Sequence, residues 1–287
     1  MVIFHLSFGE VSLTAVLILF VIAAGVITVS GVKLASIANK LADRTGLGEI
    51  IAGALFVGAS TSLPGAITSI TTAAEQAGGL AIGNALGGLT AQTAFLAIAD
   101  LVYRRANLEH AAATATGLAQ GVLLITLLMI PLIAASESDI TILGVHPASI
   151  LSVAVYAFGL KLLGSIKDEP MWRAIQTKET REEISDSDRD ADSRTDAALW
   201  TRFVSLASIT AVAGYVIGQA SVEIVQRTGL SESAVGTAFS AVANSLPELV
   251  TAIAAVRIGA VSLAVGDIIG GNAFEVLFLS AADLFYD

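Results

Sequence analysis

Two stretches of this chain, GASTSLPGAITS at residues 58–69 and ANSLPELVTA at residues 243–252, both place Ser-Leu-Pro inside an apolar run. Proline lacks a backbone N–H and disturbs the carbonyl four residues earlier, so each stretch predicts a helix that is interrupted inside a hydrophobic segment. Such interruptions are tolerated at membrane depth only where they line a polar cavity or are buried in protein. Gly65 follows the first proline and Glu248 follows the second, which makes the two interruptions similar but unequal.

The composition places the chain in a lipid bilayer. Hydrophobic residues make up 55% of the 287 residues and charged residues only 14%, and the mean hydropathy is +0.79. Because about twenty apolar residues cross the hydrocarbon core, we expect an all-α polytopic membrane protein with about eight transmembrane helices. The candidate spans are 11–30, 48–74, 79–102, 111–135, 146–164, 199–224, 231–256 and 260–284.

Positive charge predicts the orientation of these spans. When the spans are threaded alternately through a bilayer, 14 of the 15 Lys and Arg residues fall on one side and only Arg227 falls on the other. The positive-inside rule then places the N-terminus on the outer side of the cell membrane. It also makes segment 165–198, with ten acids and six bases, an acidic cytoplasmic loop.

Several classes of function are disfavoured by the residues present. The chain has no Cys and its three His residues are scattered, so neither a thiolate nor a zinc pattern is available. The sequence AVGD at 264–267 lacks the first glycine of the GxGD motif of intramembrane aspartyl proteases. We therefore expect no enzymatic activity, no cofactor and no nucleic-acid partner.

The chain also contains an internal repeat. RTGL at 44–47 recurs at 227–230, a shift of 227 − 44 = 183 residues, and this shift holds without a gap to the end of the similarity. Across residues 44–101 it gives 23 identities in 58 positions, among them Ser-Leu-Pro and a Gly-Gly pair. An odd number of spans separates the copies, so they cross the membrane in opposite directions. Inverted repeats of this kind are typical of secondary transporters, whose binding site lies where broken helices of both repeats meet.

Polar residues are placed at the predicted breaks. We expect breaks at Pro64 and Pro247 and at the pairs Gly87-Gly88 and Gly270-Gly271. Mid-membrane carboxylates are costly unless they are paired or bound to an ion, and hard oxygen donors suit Na⁺, Ca²⁺ or Mg²⁺. The alternative is that these acids are protonated and bonded to helix ends. The candidate ligands are Glu248, Asp267, Asn84, Glu275, Thr61, Ser62, Asn244 and Ser245.

These motifs resemble the alpha repeats of the calcium/cation antiporter superfamily, which includes the sodium/calcium exchangers. The family patterns GTSxPE and GNxxGSNxF correspond here to GASTSLPG with IGNALGGLT, and to AVANSLPE with VGDIIGGNAF. The resemblance implies an inverted-repeat exchanger fold, with Na⁺ or H⁺ moving against Ca²⁺ by alternating access. It also implies that Glu248 ligates Ca²⁺, that Asp267 and Asn84 match the central Asp and Asn, and that Thr61-Ser62 and Asn244-Ser245 surround them.

The predicted organisation has two transmembrane halves. They are 1–164, with alpha repeat 1 at about 30–104, and 199–287, with alpha repeat 2 at about 213–287, joined by the loop 165–198. The family has five helices on each side of its loop, whereas the second half here holds three. We therefore expect a 5 + 3 arrangement, in which the last two helices are absent through truncation or are replaced at the outer wall by homo-oligomerisation.

A second departure from the family concerns the ligands. Gly65 stands where the family carries its other principal Glu, and Glu275 is a candidate to compensate for it. We expect a site displaced toward the second repeat, with Gly65 leaving room for water or a larger ion. A non-exchanging cation channel or sensor on the same fold, or an exchanger with altered selectivity for K⁺ or another monovalent ion, are the alternative functions.

Overall fold

The computed structural model describes residues 11–45, 58–136, 141–142, 144–168, 172–173, 175, 177 and 195–286. Most of the predicted acidic loop and the first part of the candidate span 48–74 lie outside these residues. The described chain is almost entirely helical, apart from one isolated bridge between Ile142 and Val145.

Thirteen helices are described, and short turns connect many of them. In the first half they are α1 (Leu13–Thr45), α2 (Ala59–Thr61), α3 (Leu63–Ala74), α4 (Gly78–Tyr103), α5 (Leu108–Ala111), α6 (Ala115–Ala134) and α7 (Pro147–Asp168). In the second half they are α8 (Asp196–Thr228), α9 (Glu232–Val235), α10 (Ala241–Asn244), α11 (Leu246–Ile258), α12 (Val261–Glu275) and α13 (Leu277–Asp283). A π-helical segment, Gly236–Ser240, joins α9 to α10.

The all-α membrane architecture is confirmed. Among the described residues, six helical stretches are long and apolar enough to cross a bilayer, and the run from α9 to α11 forms a seventh that bends by 46°. These seven correspond to seven of the eight expected spans. The eighth, at 48–74, is described only from residue 58 onward, where α2 and α3 lie.

Helix boundaries follow the sequence repeat closely. The shift of 183 residues carries the first residue of α1, Leu13, onto the first residue of α8, Asp196. It also carries the first residue of α3, Leu63, onto that of α11, Leu246. The structural repeat therefore begins about thirty residues before the RTGL sequence at 44–47.

The two repeats contact each other where a glycine of each long helix packs against the proline of the opposite repeat. A Cβ on Gly31 of α1 would lie 2.7 Å from Pro247 Cγ, and a Cβ on Gly214 of α8 would lie 2.6 Å from the Pro64 carbonyl oxygen. Gly31 and Gly214 are themselves related by the shift of 183, so one close contact occurs twice. Each long helix thus packs on the broken helix of the opposite repeat, which holds both breaks inside protein.

The predicted breaks are confirmed at the prolines and wrong at the glycine pairs. Ser62 separates α2 from α3, and Ser245 separates α10 from α11. By contrast, α4 runs unbroken through Gly87-Gly88, and α12 runs through Gly270-Gly271 and ends at Glu275. Glycine keeps its backbone N–H, so it weakens a helix without breaking it. Gly87 and Gly88 instead permit close contacts with Thr237 and Glu275.

Three acids near the ends of the spans cap helices. The Gly79 N–H at the start of α4 donates to Glu232 over 2.8 Å, and the Leu108 N–H at the start of α5 donates to Asp100 over 2.8 Å. Asp283 accepts bonds from the His146 N–H at 2.9 Å and the Ser149 hydroxyl at 2.7 Å, ahead of α7. Each carboxylate satisfies backbone donors that a helix start leaves unpaired.

Substitution Gly214→Ala tests the contact between the repeats. The added methyl group would meet the rigid backbone of Pro64, so we expect a loss of about 1–3 kcal/mol in unfolding free energy. The control is Gly25→Ala, because a Cβ at Gly25 meets nothing within 4 Å. Thermal unfolding of the purified protein in detergent measures both. Equal melting temperatures for the two variants would contradict the packing described.

Candidate cation site

The two proline breaks bring four predicted ligands to the interior. Thr61 is the last residue of α2 and Asn244 is the last residue of α10, and each is followed by a serine at the break, Ser62 or Ser245. All four side chains are buried. The C-terminal ends of these short helices direct backbone carbonyls toward the breaks, and the partial negative charge there favours a cation.

A network of hydrogen bonds ties the two breaks together. Asn244 Nδ2 donates to Asn84 Oδ1 over 2.8 Å and to Thr68 Oγ1 over 3.0 Å. Asn84 Nδ2 in turn donates to the Gly65 carbonyl and to Ser69 Oγ, both over 2.9 Å. Asn84, which lies on α4, is therefore hydrogen-bonded to both α3 and α10. Three of its hydrogen-bonding positions are already occupied.

Glu248 lies at the centre of this arrangement. It occupies the first turn of α11 and is buried. The Thr61 hydroxyl lies 3.2 Å from the Gly58 carbonyl and also shares a hydrogen bond with the Glu248 carboxyl. Glu248 interacts electrostatically with Glu275 and, to a smaller extent, with Asp267, so Glu275 is its principal acidic neighbour.

Glu275 is held by the equivalent residue of the first repeat. Gln92 Nε2 donates a hydrogen bond to Glu275 Oε1, and both side chains are buried. The two residues are separated by 183 positions, so this bond crosses the pseudo-symmetry axis. A Cβ on Gly88 would lie 2.5 Å from Glu275 Oε2, which explains why α4 carries glycine where the glutamate approaches.

Asp267 stands apart from the other predicted ligands. It adjoins a cavity of about 60 Å³ that is also lined by Ala35 and Thr251, and Glu248 is not among the residues that line it. Asp267 is only partly buried. It lies eight residues before Glu275 on α12, about 12 Å along the helix axis. Asp267, which matches the family's central Asp, therefore adjoins a cavity that Glu248 does not line.

The space beside Gly65 is filled by an aromatic ring. A Cβ on Gly65 would lie 2.9 Å from Phe278 Cε2, and Phe278 packs edge-on against Phe274 with ring centroids 6.0 Å apart. The expectation that Gly65 leaves room for water or a larger ion is therefore wrong. Phenylalanine occupies the volume that a carboxylate at position 65 would need.

The buried atoms that lack a partner share one chemical character. Among the described residues, all six buried side-chain atoms without a hydrogen bond are oxygens. They belong to Ser62, Gln92, Asn244, Glu248, Asn272 and Glu275. Unpaired buried polar atoms are rare and costly in folded proteins. Oxygens alone, with no orphaned nitrogen, are the donor set of a hard cation.

No group of three His, Cys, Asp or Glu side chains in the described chain has a metal-binding arrangement. Any cation here would depend on carbonyl, hydroxyl and amide oxygens beside Glu248 and Glu275. The predicted ligands did not include Thr68, Gln92 or Asn272. The repeat pairs Thr68 with Thr251 and Gln92 with Glu275, so a search for polar residues at equivalent positions finds the first two, whereas Asn272 pairs with Leu89 and gives no such signal.

Comparisons with known proteins agree with the motifs. A family described as sodium/calcium exchanger protein matches residues 15–163 and 197–286. Inner membrane protein YrbG of Escherichia coli (strain K12) is 29% identical over 274 residues, which is 91% of this chain and 77% of YrbG. Sodium/calcium exchanger MaX1 of Methanosarcina acetivorans is 36% identical over 89 residues, which is 31% of this chain and 25% of MaX1.

Solved structures of exchangers share the fold. The H⁺/Ca²⁺ exchanger CAX superposes with a TM-score of 0.63 at 17% identity, covering 94% of this chain and 67% of CAX. The sodium-calcium exchanger NCX_Mj, soaked with Na⁺ and Sr²⁺, superposes with a TM-score of 0.58 at 16% identity, covering 96% of this chain and 83% of NCX_Mj. At these identities the likeness establishes the inverted-repeat exchanger fold.

A double-mutant cycle tests the contact between Gly65 and Phe278. Gly65→Ala alone overpacks the ring and Phe278→Ala alone leaves a cavity, so both lower the unfolding free energy. In the double variant each change relieves the other, and we expect a favourable coupling of about 0.5–3 kcal/mol. Gly121→Ala is the control partner, because a Cβ at Gly121 meets nothing within 4 Å. Strict additivity for Gly65 and Phe278 would refute the contact.

Proposed function

The chain belongs to the sodium/calcium exchanger protein family, and we propose that it is a secondary active cation antiporter. It exchanges Ca²⁺ against Na⁺ or H⁺ by alternating access at a mid-membrane site. The observation that carries the proposal is the set of orphaned buried oxygens around the breaks, two of which belong to the carboxyls of Glu248 and Glu275. Exchange requires such a site to be satisfied by an ion in each conformation.

The electrostatics of the two carboxyls favour a bound cation. A buried carboxylate without a compensating charge costs several kcal/mol. Glu248 and Glu275 interact with each other, and two like charges in one site raise that cost. One divalent ion, or two monovalent ions or protons, neutralises the pair. Competition of Na⁺ or H⁺ with Ca²⁺ for the same carboxylates is the minimal requirement for antiport.

Neutral oxygens complete the proposed coordination. Ser62 and Asn244 supply side-chain oxygens that have no partner in the described structure, and Thr61 and Ser245 lie next to them in the chain. Ca²⁺ takes six to eight oxygen ligands, which is more than two carboxylates provide. In this proposal Asn84 positions Asn244 through their hydrogen bond. Asp267 lies outside the central coordination shell.

The asymmetry at Gly65 bears on selectivity. With Phe278 against Gly65, the first repeat contributes no carboxylate at the proline break. The site then has fewer negative charges than a symmetric one, which weakens its preference for a divalent over a monovalent ion. An exchanger with altered selectivity, toward K⁺ or another monovalent ion, is therefore the second candidate. A channel or a sensor is distinguished from both by the absence of obligate counter-transport.

The proposed topology follows from the charge distribution. The N-terminus lies outside, segment 165–198 is cytoplasmic, and the halves 1–164 and 199–287 form the two inverted units. Lys33, Arg202, Arg104 and Arg257 then all lie near the cytoplasmic face of the membrane. Alternating access consists of movement of α1 and α8 over the breaks that they cover through Gly31 and Gly214, because these contacts link the long helices to the site.

Replacing Glu248 with Gln should abolish exchange. The substitution removes one charge of the pair while keeping the shape, so we expect Ca²⁺ uptake driven by a Na⁺ or proton gradient to fall at least about thirtyfold, the equivalent of about 2 kcal/mol. The assay uses the full chain in vesicles and compares Ca²⁺, Mg²⁺, Mn²⁺ and K⁺. Glu109→Gln, at an exposed acid on α5, is the control. Ion flux in wild type without any counter-ion would indicate a channel and overturn antiport.

The two acids of α12 should differ in their effect on transport. We expect Glu275→Gln to reduce uptake as strongly as Glu248→Gln, because Glu275 is the principal acidic neighbour of Glu248. We expect Asp267→Asn to reduce Ca²⁺ uptake less than about threefold in the same vesicles. The electrostatic interaction of Asp267 with Glu248 is the weaker one, and a weak interaction of this kind is worth well under 1 kcal/mol. The reverse order of effects would show that Asp267 belongs to the central site.

A further inference from the structure

A separate cleft lies between α1 and α8, away from the proline breaks. It has a volume of about 410 Å³. Three basic side chains line it, Lys33 and Lys40 from α1 and Arg202 from α8. Ser36, Thr201 and Ser205 line it as well, and among the described residues no Asp or Glu lines the cleft.

The spacing of these residues builds one cationic surface. Lys33, Ser36 and Lys40 recur at intervals of three and four on α1, which places them on one helix face, and the two lysines are about 10 Å apart along the axis. Thr201, Arg202 and Ser205 present the opposite wall. Bases that converge on one cleft suit an anion with several oxygens, above all a phosphate group.

The surroundings of the cleft are those of a membrane interface. Val29 lies one turn from Lys33 and Ile209 lies one turn from Ser205, and both are exposed. Trp200 is exposed as well and packs edge-on against Phe203, with ring centroids 5.7 Å apart. Tryptophan favours the headgroup level of a bilayer. An anion bound here would therefore have exposed apolar surface directly beneath it.

We propose that the cleft between α1 and α8 binds the phosphate-bearing headgroup of an anionic phospholipid. Lys33 and Arg202 hold the phosphodiester, the Ser36 hydroxyl donates to a glycerol or headgroup oxygen, and the acyl chains lie along the apolar flank marked by Val29 and Ile209. This match of a charged cleft with an apolar surface favours a lipid over free phosphate. The site does not depend on the proposed transport, and it joins the two long helices that cover the breaks.

Lipid retention by the purified full chain tests the proposal. Phosphatidylglycerol or phosphatidylcholine is added in detergent, and bound lipid is counted by native mass spectrometry. We expect phosphatidylglycerol to bind preferentially and the variant Lys33→Gln/Arg202→Gln to bind it about thirtyfold more weakly, since each base near a membrane surface contributes about fivefold. Lys33→Arg, which keeps the charge, should retain the lipid.

The matched control changes two exposed bases outside the cleft. Arg105→Gln/Arg257→Gln has the same net charge as the cleft variant and alters residues that do not line the cleft. It should bind phosphatidylglycerol as wild type does.

Equal loss in both double variants, or equal binding of the two lipids by wild type, overturns the proposal. Displacement of the lipid by millimolar inorganic phosphate would show a site for a free anion and would also overturn it. So would lipid binding that appears only after the acids at 186–192 are neutralised, because the chain's own acidic segment would then occupy the cleft.

Discussion

A helix interrupted inside a bilayer leaves backbone and side-chain polar groups that lipid does not satisfy, and this constraint organises the whole molecule. The chain meets it by placing a glycine of each long helix against the proline of the opposite repeat. Gly31 lies on Pro247 and Gly214 lies on Pro64. Both breaks are thereby enclosed by protein, and Asn244 bonds across them to Asn84 and Thr68. A site of buried oxygens exists only because these close contacts exclude lipid from it.

The backbone symmetry of the repeats contrasts with the asymmetry of their charge. Equivalent positions pair Gly65 with Glu248, Gln92 with Glu275 and Asn84 with Asp267, and each acid belongs to the second repeat. The neutral partners have structural contacts in place of charge: Gln92 donates to Glu275, Asn84 bonds to three neighbours, and Gly65 packs on a ring. The first repeat therefore supports the acids that the second repeat supplies, and three further acids in the same small volume are avoided.

Family membership and fold agree with these features at different levels. The match to the sodium/calcium exchanger family covers both repeats, and the superposed exchangers share the fold at low identity. The basic cleft between α1 and α8 lies outside the region of the site. Its basic residues lie on the two helices whose glycines pack against the breaks.

The sequence by itself determined the membrane class, seven of the spans, the inverted repeat, the proline breaks and the burial of Glu248 and Glu275. Hydropathy, charge and the missing proline N–H are local properties, so the sequence alone is enough to identify them. The tertiary structure decided how each acid is held. It bonded Glu275 to Gln92 and placed Asp267 at a side cavity lined by Ala35 and Thr251. It also put Phe278 into the space beside Gly65 and kept the helices intact at both glycine pairs. These outcomes depend on how closely two helices approach and on which side chain fills the gap, and neither quantity is encoded by the residues of one helix alone.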